Sequence, residues 1–163
     1  MNSRFALGLS FVLIAGGTAW AGAPYESAVR SIDKQVFAMD KELDRYTKTS
    51  VDKCEDLLCT RTVSYWDAKG KLRKVAEEVR SQAGPGTVTG RYYVDCRLIL
   101  ARVTPNDTEA VKNPRSIEKF YFRNGKLLRV VVGDEIQTFG KDQMAYYERS
   151  QRSDPAKCTQ DVR

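Results

Sequence analysis

Residues 70–75 read GKLRKV and residues 125–130 read GKLLRV, and each line follows a pair of aromatics, Tyr65-Trp66 and Phe120-Tyr121. Superposing Gly70 on Gly125 also places Lys74 on Arg129 and Val75 on Val130. A recurring unit of aromatic run, turn with glycine, and apolar return is the pattern of a β-hairpin. Cross-strand aromatic pairs pack its faces, and glycine supplies the positive φ that a tight turn needs. The repeat therefore predicts two similar hairpins in one antiparallel sheet. Asp67-Ala68-Lys69-Gly70 and Asn124-Gly125 are the expected turns. The return after Gly125, Leu127 to Val132, is apolar on both faces and reads as a central strand. The return after Gly70 carries Arg73, Lys74, Glu77 and Glu78 on both faces and reads as an edge strand.

A different period precedes the repeat. Val29, Ile32, Val36, Met39, Leu43 and Tyr46 recur at spacings of three and four, which predicts a helix over 25–47 with one apolar stripe. The acids and bases between them read as its solvated faces. Gly84-Pro85-Gly86 is expected to break the chain. Val88 to Val103 then forms one long bent strand or two strands joined near residues 95–97. Ile136 to Phe139 adds a short strand, and Lys141 to Ser150 a short helix with Met144 and Tyr147 inward. The expected fold is α+β: a long N-terminal helix packed on a curved antiparallel sheet containing the two hairpins, with a short C-terminal helix. In element order alone this resembles cystatin-like and NTF2-like domains.

The N-terminus points to export. Arg4 precedes an uncharged apolar run, Phe5 to Ala15, and Ala19-Trp20-Ala21 has the small-x-small form of a signal-peptidase site. Residues 1–21 are read as a cleaved signal peptide and 22–163 as a single domain, periplasmic or extracellular. The apolar run is too short to span a bilayer. Four cysteines lie in the mature part, and an even number in an exported chain suggests disulfides. Among three connectivities, Cys54–Cys59 and Cys96–Cys158 are favoured. The first closes a very short loop, and the second ties the tail to the sheet. Their spacing suits zinc poorly, and no metal or cofactor is expected.

The chain contains no histidine. That removes the commonest general base and the His-dependent triads, and no nucleotide-binding or nucleophile-elbow motif is present. The adjacent carboxylates Glu77-Glu78 and Asp134-Glu135 would point to opposite faces of a strand. An enzyme is therefore not the expectation. Charge says more. The whole chain carries a formal +6, and removing Arg4 with the leader leaves +5. Bases and aromatics concentrate in the expected sheet, and Lys71, Arg73, Arg91, Tyr93, Lys119, Tyr121, Arg123 and Arg129 are the candidate binding residues. If they share a face, it would attract an anionic envelope ligand or an acidic protein. Export argues against nucleic acid as the natural partner. The expected function is a small, disulfide-containing binding module; the alternative is a structural or accessory subunit of a cell-envelope assembly.

Overall fold

The computed structural model describes residues 23–81, 84–106, 116–151 and 158. The expected signal peptide lies outside these residues. The chain forms helix α1 (Ala23–Glu42), a 3₁₀ turn (Leu43–Arg45), eight strands and helix α2 (Lys141–Gln151). The strands are β1 (Thr47–Glu55), β2 (Leu58–Trp66), β3 (Leu72–Ser81), β4 (Gly84–Val94), β5 (Arg97–Pro105), β6 (Glu118–Arg123), β7 (Lys126–Val132) and β8 (Glu135–Gln137). They form one antiparallel sheet in strict chain order, β1 to β8. The architecture is α+β.

The two helices cover opposite faces. On one face Val29, Ile32, Val36 and Met39 of α1 pack on Tyr92, Leu100 and Tyr121. On the other, Met144 and Tyr147 of α2, with Phe139, pack against Phe120, Phe122, Leu127 and Val130. A third cluster, Trp66, Leu72 and Tyr93, continues the core towards β2. Strand alternation explains the division. Tyr92 and Tyr93, like Phe120 and Tyr121, are consecutive residues and enter different clusters.

A polar seam fixes the direction of α1. Glu26, Asp33 and Asp40 stand seven residues apart and therefore lie along one side of the helix. Glu26 accepts from Arg129 on β7 at 2.7 Å, and Asp33 accepts from the Tyr121 hydroxyl on β6 at 3.0 Å. Asp40 accepts from the Tyr92 hydroxyl on β4 at 3.0 Å and from Lys74 Nζ on β3 at 2.9 Å. Arg102 of β5 approaches the same carboxylate at 3.6 Å. Fourteen residues of helix rise about 21 Å, and the four strand spacings from β7 to β3 total about 19 Å. The match requires α1 to run across the strands rather than along them. These acids are tied to the sheet although they keep contact with water: Asp33 is exposed, and Glu26 and Asp40 are half-buried.

Several expectations change. The helix ends at Glu42, and 47–55 is an unforeseen strand, exposed at every position. Strand β3 is not an edge: it lies between β2 and β4, and the edges are β1 and β8. Its charges are tolerated inside the sheet because they are paired: Arg73 with Asp67 at 2.7 Å, Lys74 with Asp40, Glu77 with Arg91 at 3.5 Å, and Glu78 with Arg80 at 2.8 Å. Gly84-Pro85-Gly86 does not break the chain but opens β4. Gly86 is needed there, because a Cβ would stand 1.9 Å from the Val79 carbonyl oxygen of β3.

The turns also resolve the repeat. Trp66 pairs with Leu72, Tyr93 with Leu98 and Phe122 with Leu127. In all three the register shifts between that aromatic and the tyrosine before it. Trp66 therefore corresponds to Phe122 rather than to Tyr121, because the turn after Trp66 is one residue longer. Tyr92-Tyr93 is a third occurrence of the device. Its turn residues, Asp95 and Cys96, have φ of 45° and 63°, beside 53° and 75° at Asn124 and Gly125. Both pairs have positive φ at the two central positions, as a two-residue hairpin loop of the primed type requires.

Candidate functional site

The β4–β5 and β6–β7 turns lie at the same end of the sheet, and α1 passes beside them. Between the three is a groove of about 420 Å³. Its helix wall carries Ser27, Ser31 and Gln35, and its apolar lining comes from Ile32, Val94, Ile99 and Phe122. The turns contribute Asp95 and Arg97 from one hairpin and Arg123 and Asn124 from the other. The volume is that of a small-molecule site.

The charges of the groove are unequal in their partners. Asp95 is held by Lys71 Nζ at 3.2 Å. Arg97 and Arg123 are exposed and have no hydrogen-bond or ion-pair partner among the described residues. Gln35 donates to the Ser31 carbonyl oxygen, which fixes one amide on the helix wall. The arrangement offers two guanidinium groups beside an apolar floor. Guanidinium groups suit carboxylate or phosphate oxygens, which they can bind through two parallel N–H donors.

The eight residues expected to form a basic and aromatic face are not gathered on one. Tyr121 and Arg129 lie under α1, where Asp33 and Glu26 hold them. Tyr93 is buried with Trp66 and Leu72 on the opposite face, and alternation puts Arg91, paired with Glu77, on that side too. Lys71 and Arg73 are paired with Asp95 and Asp67. Lys119 is half-buried on β6 and stands across from Arg102. Of the eight, Arg123 alone lines the groove. Arg97 is not among those eight; it directly follows the Asp95-Cys96 turn as Arg123 directly precedes the Asn124-Gly125 turn, a correspondence that only the positive φ of Asp95 and Cys96 discloses.

Burial sets the titration of the helix–sheet seam. Burial raises the Tyr121 hydroxyl well above the usual phenol range, and the neighbouring Asp33 carboxylate raises it further. Burial also raises Tyr92, despite the opposing effect of Lys74 and Arg102. At Lys74 burial acts downward, but Tyr92 and Asp40 outweigh it and the ammonium is raised. Asp67 is partly desolvated, yet the Lys71 and Lys69 N–H groups and Arg73 bring its carboxyl below the usual value. All four groups serve internal contacts and none lines the groove.

Cys54 and Cys59 are joined in a disulfide across the β1–β2 turn. Cys96 is an exposed thiol on the β4–β5 turn and is not in the expected bridge with Cys158. Among the described residues, no group of histidine, cysteine, aspartate or glutamate could hold a metal ion, and no helix is long and apolar enough to cross a membrane. Comparison with protein-family models, with curated proteins and with solved structures found no match to this chain.

Proposed function

We propose that this chain is an exported, non-catalytic binding module whose ligand is a small anion with an apolar portion, such as the phosphate and acyl region of an envelope lipid. The observation that carries the reading is the contrast among its arginines. Arg73, Arg91 and Arg129 are consumed by internal carboxylates, whereas Arg97 and Arg123 flank an apolar groove with no such partner. The signal-like N-terminus and the Cys54–Cys59 disulfide support an oxidising, exported setting. The lack of histidine and the engagement of the raised tyrosines and Lys74 in the helix–sheet seam support a non-catalytic role.

Thermal unfolding of the mature protein tests this. Dodecyl phosphate below its micelle concentration should raise Tm, because a ligand that binds only the folded state stabilises it by mass action. The rise should shrink as salt screens the exposed guanidinium groups. The double variant Arg97→Gln, Arg123→Gln should lose the rise and keep its ligand-free Tm. An equal rise with dodecyl maltoside, or an undiminished rise in the double variant, would remove the arginines from the reading.

The assembly-subunit alternative has its own observation. The β1 edge and its turn expose Val51 and Leu57, with Leu58 at the start of β2 beside them, which suits strand addition by a partner. Co-purification that Val51→Lys abolishes would favour it.

A further inference from the structure

We infer that strand β1 is the seat of a twofold dimer, in which the open edges of two copies of this chain pair antiparallel and join their sheets. The two ends of the sheet are not alike. Strand β8 closes one end with only three residues, and shortness protects an edge. Strand β1 closes the other with nine, exposed at every position and paired to β2 from Thr47 to Glu55 without a bulge. It contains no proline. Of the devices that keep edges apart it has only charge, and in both signs: Lys48, Asp52, Lys53 and Glu55.

The main-chain groups that face outward follow from the ladder. Cys54 and Cys59 stand opposite each other with Cα atoms 4.1 Å apart, the close spacing of a non-hydrogen-bonded pair. Cys54 therefore turns its N–H and C=O away from β2, and alternation gives Asp52, Ser50 and Lys48 the same direction. A twofold axis through this edge stands perpendicular to the sheet. It keeps each face on its own side and pairs these four residues only with one another.

Charge then selects the register. Centred on Asp52, the pairing would set that carboxylate against its own copy, and centred on Lys53 it would do the same to the ammonium. Like charges directly opposite are destabilising. Centred on Val51, no charge meets another. Centred on Ser50, Lys48 of each copy stands opposite Asp52 of the other, so the attractive pair forms twice. The Asp52 side chain is 69% exposed and its contact with Arg61 is loose, at 3.7 Å. Lys48 Nζ lies 5.6 Å from the Tyr65 ring centre, on the same face of the sheet. This self-complementarity favours a second copy over a foreign strand. The groove and its ligand take no part, because Arg97 and Arg123 stand at other turns.

Sedimentation velocity of the mature protein, from low micromolar to millimolar concentration, should show a monomer–dimer equilibrium. Lys48→Asp and Asp52→Lys should each raise the dimer dissociation constant at least about tenfold, since each sets like charges opposite at two places. Mixed in equal amounts, the two single variants should dimerise with each other, because one then offers two carboxylates to two ammonium groups of the other. Damage to the fold would not produce that recovery. A monomer at every concentration would overturn the dimer, even in a chain that co-purifies with another protein through Val51. Single variants that dimerise like the parent, or a mixture that does not recover, would overturn it as well. Amide exchange is the second arm. The N–H groups of Lys48, Ser50 and Asp52 should exchange more slowly as concentration rises, while Thr49 and Val51, which alternation bonds to β2, stay unchanged. Exchange at those three that is independent of concentration would overturn edge pairing whatever the state of association.

Discussion

The β1–β2 hairpin and the β6–β7 hairpin use the same antiparallel hydrogen bonding, but they differ in what covers them. Strand β1 is exposed at all nine positions. Strand β6 buries Phe120, Tyr121 and Phe122, with α1 on one face and α2 on the other. Backbone pairing is thus common to both ends, and a typical hydrogen bond is worth only about 1 kcal/mol net. Apolar cover is what separates them: β1, an edge strand held only by β2, buries no side chain, and strand pairing without a packed face is marginal in water. The chain meets that weakness with a covalent bond at the uncovered end and with packing at the covered end.

The largest test of this contrast is Phe120→Ala, which should cost about 3–5 kcal/mol, as truncation of a buried aromatic does. Equilibrium denaturation would read it as a lower midpoint with an unchanged slope. Next comes Gly86→Ala, at the junction of the two regions. The added methyl would strike the Val79 carbonyl, and about 3 kcal/mol is expected from over-packing. Hydrogen exchange should then rise more in β1–β3 than in β5–β7; an even rise along the sheet would show that the two ends are one cooperative unit. Opening the short Cys54–Cys59 loop with a double serine variant should cost about 2 kcal/mol. That loss should appear as weaker amide protection in β1 and β2, with protection in β6 intact.

Tyr121→Phe is smaller at neutral pH, about 1 kcal/mol for one lost hydrogen bond. Its signature is in base. A hydroxyl raised by burial keeps its proton in the folded chain after the unfolded chain has lost it. Its contribution is therefore complete below the ordinary phenol value near 10 and is lost as pH rises beyond it. Tyr92 has the same sign. Lys74, also raised, contributes below its unfolded value near 10.5 and loses that contribution above it. Stability should fall in base, and Tyr121→Phe should flatten the fall in a urea titration repeated at successive pH values. Smallest of all is Val51→Ala, within about 0.5 kcal/mol as for an exposed position. A larger loss in dilute monomer would mean that β1 has cover of its own.

Much of the covered region was legible in the sequence because burial imposes a period. The stripe of α1 and the inward Met144 and Tyr147 read correctly, and so did the disulfide across the β1–β2 turn. Strand β1 left no such trace, since a strand exposed on both faces has no reason to alternate. The edge was assigned to β3 because its charges looked solvated, and only the fold brings Asp40, Asp67 and Arg91 to meet them. The third turn was legible only as one of two alternatives near residues 95–97, because Asp95 and Cys96 take a backbone conformation that glycine and asparagine usually announce. The groove was least legible of all. It depends on α1 crossing the strands: the sequence offers Glu26 the helical neighbour Arg30, whereas the fold gives it Arg129, 103 residues away, and Asp33 and Asp40 meet Tyr121 and Tyr92 only across the sheet.

The strict chain order of the sheet has a kinetic consequence. Every strand pairs with its immediate neighbour in sequence, so apart from the longer β5–β6 link over 106–117 each pairing closes only a short loop and the sheet can grow one strand at a time. Helix α1 is made first but must wait. Its ties to Tyr92, Tyr121 and Arg129 span 52, 88 and 103 residues. A growing chain would therefore complete the helix–sheet seam only once β7 had arrived, and until then part of the apolar stripe of α1 is a surface a holding chaperone would meet.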